Sequence, residues 1–393
     1  MKLAWVASVL LTLPLMGCGG GGSGTSTSIV DSCTSFNNDT FDCATMLQDT
    51  STVIAQTATA VKTGLIQLDT DIGSYCDAQD NTTLTIAQTQ WTTTMAAVQQ
   101  LEVMQIDDIE AARGDIYNWP LNDTCKVDLQ ISLGETADIT QVASGRRGLN
   151  AIEYILFQET TLQSCADIYS EDVAPWLANN TIDHKKERCD YAKLVSADLI
   201  TRATQLETQV LALDLAAQYD SLQAAANAVS DALFYVDKQT KDAKLKAALP
   251  QSGDGVFNEA VLESKFANIS KEHIKNNLLG AKAILTANGA MGLEDYITAK
   301  GQASLATDMI TALDDAITNL DAITGDFYTQ IAAASDVAAC INTAGNGSYV
   351  GDSDIESICA LQFNIKTFTD LLKGKFTATL EFTTPAEADG DND

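Results

Sequence analysis

Apolar residues recur at three- and four-residue spacing through almost the whole chain, and no other feature limits the possible folds so tightly. Between Asp42 and Asp71, Met46, Val53, Ile54, Val61, Leu65, Ile66 and Leu68 sit among threonines and glutamines. From about Leu84 to Arg113 the pattern returns with Ile86, Trp91, Met95, Val98, Leu101, Met104, Ile106 and Ile109. An α-helix brings residues back to one face at this spacing, whereas a strand alternates every second residue. Further runs carry Leu194, Leu199, Leu206, Val210, Leu213 and Leu215, then Leu222, Val229, Leu233, Phe234 and Val236. Two more helices are predicted near Ser304–Ala334 and Ser353–Leu372. Alternation is confined to Phe376–Phe382, which reads as a short extended end. The class is all-α, built as up-and-down bundles with loops stapled by disulfides. Pro250, Gly253 and Gly255 break the pattern, so the chain divides into an N-terminal bundle, 40–248, and a C-terminal bundle, 256–382. The acidic tail 383–393 lacks the apolar residues needed for a core and reads as disordered.

The first residues read as an export signal with a lipid-attachment site. Lys2 supplies the basic end, Leu3 to Leu15 an apolar run too short to span a bilayer, and Leu15-Met16-Gly17-Cys18 resembles a bacterial lipobox. Residues 1–17 are then a signal peptide, Cys18 the lipidated residue and 18–39 a flexible tether. The expected location is the cell envelope, on the outer membrane. Eight further cysteines suit an exported chain. Pairing neighbours along the sequence gives Cys33–Cys43, Cys76–Cys125, Cys165–Cys189 and Cys340–Cys359. No C-x-x-C pair supports a zinc or iron–sulfur alternative. A net charge of −30 excludes nonspecific nucleic-acid binding, which needs the opposite sign.

One stretch, Ser144–Gln158, mixes apolar and polar stripes. Leu149, Ile152 and Leu156 share a face, and Arg146, Asn150 and Glu153 an adjacent one. A half-buried Glu153 needs an arginine, a metal or a proton. Gly148-Leu149-Asn150-Ala151-Ile152-Glu153 resembles the G-x-H-x-x-E motif of the imelysin-like proteins, the M75 peptidase family, with Asn150 where the family usually has histidine. Asn118-Trp119-Pro120 and Asp128 resemble the element preceding that motif. Glu263–Ala267, Asn276–Gly280 and Gly289–Ile297 resemble the family's C-terminal half. The resemblance covers about residues 40–375 and implies two helical bundles with the motif helix at their junction. It also implies an envelope protein tied to peptide cleavage in some members and to iron uptake in others.

A zinc peptidase needs three protein ligands and a base. His184, read as a solvated loop residue, and His273 each lack a second ligand at helical spacing. A binding role asks less: a cleft between bundles lined by Arg146, Asn150, Glu153, Ser264 and Asn277 would hold a small polar ligand, a metal chelate or a peptide end. Glu153 is the candidate ligand for iron or another divalent cation. The structural alternative pairs Glu153 with Arg146 or Arg147 as a lock. A third reading is a lipid-tethered protein docking an outer-membrane receptor. Glu294 and Asp295 are expected to stabilise the first turn of a helix.

Overall fold

Long helices form where the apolar period is sustained, and three of them begin at an Asp or Ser side chain that caps the first turn. The computed structural model describes residues 41–106, 109–120, 124–133, 138–158, 174–176, 178, 184–249, 258–329, 354–386 and 388. Helix α1, Cys43–Ala78, is capped by Asp42, whose carboxylate accepts from Thr45 N, and α2, Asn81–Val103, is capped in the same way by Asp80. The motif helix α3 spans Leu149–Phe157, α4 His184–Leu211 and α5 Leu222–Leu233. In the second half, α6 spans Ser270–Thr286, α7 Ala303–Ala322 and α8 Asp354–Leu371. No strand occurs among the described residues.

Helices α1, α2 and α4 pack together, and α3 lies against α2 and α4. Helix α6 packs on α2 from the other side and joins α7, which pairs with α8. Leu101 and Trp91 therefore share one core with Ile274 and Leu278. The α2–α6 approach depends on Gly280, because a Cβ there would lie 2.5 Å from the Gln100 carbonyl oxygen. A π-helical segment, Val236–Leu245, buries Asp237, Lys241 and Lys244 completely, beside a shorter one at Leu372–Phe376. These elements belong to a unit running from Asp31 to Asp393.

Several local expectations are corrected. The second helix stops at Val103, and a short helix, Ile109–Gly114, turns Arg113 back onto Glu102 at 3.0 Å. Phe376–Phe382 is helical through Leu380, since Phe376 and Leu380, four apart, both face the core. Within the irregular Asp115–Leu133 stretch, Thr124–Ser132 is a helix. Cys76 bonds to Cys189, which overturns Cys76–Cys125 and Cys165–Cys189. The end of α1 and the start of α4 are adjacent in space, with Cα atoms 5.4 Å apart, although 113 residues separate them in sequence. Cys43 and Cys125 are also disulfide-bonded. The remaining pairings, the lipid site Cys18 and the tether fall outside the described residues. At the tail, Thr383 N donates to Asn227 and Ala388 is buried.

Candidate functional site: the seam between the motif helix and the second half

Two short elements fix the entry of the motif helix. Gly148 is needed there because a Cβ would meet Asn150 Oδ1 at 2.4 Å and the Ile116 carbonyl at 3.0 Å. Trp91 Nε1 donates to Leu149 O, and Tyr154 OH to Asp128 Oδ2 at 2.8 Å, so the tryptophan of α2 and the aspartate of the preceding helix both hold α3 in place. Asp128 also faces Arg188 at 3.6 Å.

Glu153 is 1 % exposed and reaches across to the second half. Its Oε1 accepts from the backbone N–H groups of Phe266 and Ala267, each at 3.1 Å. Those amides lie in a tight turn in which Ser264 and Asn268 both adopt the left-handed region and Asn268 N donates to Ser264 O. Phe266 also packs its ring at a tilt against Tyr154 of α3, ring centroids 5.2 Å apart. Burial pushes the Glu153 carboxyl up to about 7, against the opposing pull of the two amides and of His273.

The lock expected between Glu153 and an arginine is not formed. Arg147 donates to Ile139 O and faces Asp198 at 3.6 Å. Arg146 is half-buried, and its carbonyl accepts from Tyr191 OH. Asn150 is buried but turns its amide N–H back to Gly145 O, leaving Oδ1 without a hydrogen bond. Asn277 donates to Gln99 O and Oε1, so it joins α6 to α2. Ser264 Oγ lies 3.5 Å from His273 Nε2. Of the five residues expected to line one cleft, Glu153 and Ser264 meet the same turn, Asn277 serves the adjoining α2–α6 contact, Asn150 turns to its own segment, and Arg146 meets α4 through its carbonyl.

Sequence reasoning missed the densest part of the seam. Glu102 and Gln99 from α2, Tyr117, Lys244, Glu263 and His273 form one buried polar network. Tyr117 OH and Gln99 Nε2 donate to Glu263 Oε1 at 2.7 and 2.8 Å. Glu263 Oε2 faces Lys244 Nζ at 3.0 Å and His273 Nδ1 at 3.2 Å. Although burial opposes it, Lys244 and His273 hold the Glu263 carboxyl below its usual range, and burial with the Glu263 charge raises the Tyr117 hydroxyl. One signal was available: Glu102 is the only charged residue of α2. His184, read as a loop residue, instead starts α4 with its ring against Trp176 at 4.3 Å.

These groups do not fit a catalytic zinc. Glu153 Oε1 is taken by amides, Asn150 faces its own helix entry, and His273 Nδ1 faces Glu263 and Gln99 Nε2. Among the described residues no three His, Cys, Asp or Glu side chains group as a metal site. Surface hollows of about 470 Å³ beside Tyr219 and Asn227, and about 460 Å³ beside Gln56 and Leu211, are lined by no seam residue.

An all-α chain with a G-x-x-x-x-E helix locked at a buried seam defines the class, and the comparisons agree. Residues 54–346 match the family model described as Imelysin, peptidase M75, and the chain belongs to that family. It is similar to the crystal structure of an imelysin-like protein from Psychrobacter arcticum 273-4, at 15% identity and TM-score 0.60, covering 88% of this chain and 99% of that one. It is also similar to the structure of a protein from Parabacteroides distasonis ATCC 8503 described as a putative iron-regulated protein A precursor. That match has 15% identity and TM-score 0.55 and covers 84% and 95% of the two chains. No curated protein matches. Among the described residues no helix is long and apolar enough to cross a membrane.

Proposed function

We propose that this chain is a non-catalytic binding protein of the bacterial envelope, carried on a lipid at Cys18, that takes a polar ligand or an iron chelate at the motif-helix seam and serves iron acquisition. One observation carries the reading: two backbone amides of the second half converge on a single oxygen of Glu153. Such a pair would serve a ligand oxygen that displaces the Glu153 carboxylate, with the Ser264 hydroxyl in the same turn, whereas hydrolysis would require an ion and a positioned water that these side chains do not accommodate. The description of the Parabacteroides relative as iron-regulated is in keeping with it. The envelope placement rests on the segment Lys2–Cys18.

The test is a titration of the purified chain with ferric citrate and with ferrous and ferric salts, beside Glu153→Ala and Ser264→Ala. Chelate binding is expected, and it should change at least tenfold in either variant. Equal binding by all three chains, or none, contradicts the proposal. Zinc-dependent cleavage of a protein substrate, abolished in Glu153→Ala, would overturn the non-catalytic assignment.

A further inference from the structure

Lys244 projects from the π-helical segment into the α2–α6 seam, and its side chain is wholly buried. Three oxygens from three separate residues converge on its Nζ: Glu102 Oε2 at 2.5 Å, Gln99 Oε1 at 2.7 Å and Glu263 Oε2 at 3.0 Å. The ring faces of Trp119 and Tyr235 stand 5.7 and 5.8 Å away.

Each of these oxygens is aimed by an outer partner. Arg113 donates to Glu102 Oε1 and Tyr235 OH to Glu102 Oε2, both at 3.0 Å. Tyr117 and Gln99 occupy Glu263 Oε1, which leaves Oε2 turned inward, where it makes no directional hydrogen bond. Asn277 Nδ2 holds Gln99 Oε1 at 2.9 Å. Outer hydrogen bonds that fix the direction of inner oxygens are how proteins shape cation sites. Two carboxylates and an amide oxygen are the donors of hard divalent ions; at calcium–oxygen distances of about 2.3–2.6 Å the two longer contacts must close in, and water entering the space vacated by the lysine side chain would supply the rest of the roughly six to eight oxygens such an ion takes. The α2–α6 seam is thus built around a positive charge that the chain supplies for itself.

We propose that the Lys244 ammonium fills a divalent-cation position, so that the protein carries a site of the calcium or manganese class closed by its own side chain. With Lys244 present, its charge and that of Arg113 balance Glu102 and Glu263, and the native chain takes no ion there. This site is distinct from the two amides that hold Glu153, so its test does not depend on the proposed ligand.

The experiment uses the full chain after chelator treatment, as native protein, Lys244→Ala and Lys244→Ala/Glu263→Gln. Thermal unfolding is followed with added Mn²⁺ or Ca²⁺, and bound Mn²⁺ is counted by electron paramagnetic resonance. Lys244→Ala is expected to melt below native, to bind one ion per chain, and to regain several degrees saturably. The native and doubly substituted chains should show neither effect. If Lys244→Ala folds only when refolded with one of these ions, the proposal holds equally. A Lys244→Ala chain that no divalent ion stabilises or helps to fold overturns it, as does an equal shift in the native protein.

Discussion

Replacing Glu153 by glutamine should make the protein more stable at neutral and alkaline pH. In the unfolded chain this carboxyl ionises near its ordinary 4.5, and in the folded chain at about 7. Between these values the folded state holds a proton that the unfolded state has released, so stability falls as pH rises. The contribution is fully present below 4.5 and lost once pH passes 7. A shift of that size corresponds to about 3 kcal/mol at most, at 1.36 kcal/mol per unit. Glutamine keeps an oxygen for the Phe266 and Ala267 amides and carries no charge to desolvate. Urea unfolding of native and Glu153→Gln chains from pH 4.5 to 8.5 measures the effect. The difference between them should open across pH 4.5–7, with the variant the more stable above 7. Glu294, whose carboxyl burial also pushes up to about 7, is present in both chains and cancels. Parallel curves, or a variant weaker at every pH, would refute the reasoning.

Two further substitutions test the packing. Gly280→Ala should cost about 1–3 kcal/mol by forcing α6 off the Gln100 backbone, read as a lower urea midpoint with an unchanged slope. Cys76→Ser/Cys189→Ser should cost about 2–5 kcal/mol, and mass mapping of the native chain without reduction should recover a Cys76–Cys189 peptide; a Cys76–Cys125 peptide would contradict the structure.

The helical class was legible because the apolar period runs through nearly every long segment, and the polar stripe of Ser144–Gln158 marked Glu153 as a half-buried group in need of an arginine, a metal or a proton. The partner itself was not legible, since backbone amides of Phe266 and Ala267 leave no mark in composition. The end of α2 was hidden for a related reason. Met104 and Ile106 continue the period without glycine or proline, and the turn is set by tertiary contact between Arg113 and Glu102. Pairing by sequence proximity failed for Cys76 and Cys189 because α1 and α4 are neighbours only in space. Phe376, Leu380 and Phe382 satisfy an alternating pattern, yet the first two also satisfy a helical one, and burial decides between them. The Glu102–Lys244–Glu263 network assembles from α2, a π-helical segment and a turn, and only the lone charge of α2 hinted at it.

One carboxyl of the motif helix ties it to the second half through the Phe266 and Ala267 amides, and the account rests on that tie. Hydrogen exchange of the 262–269 peptide, in native and Glu153→Ala chains at matched pH, measures it most directly. Slow exchange is expected in the native protein, with a marked loss of protection at those two amides in the variant. Rapid exchange in the native chain, or identical protection in both, would contradict it.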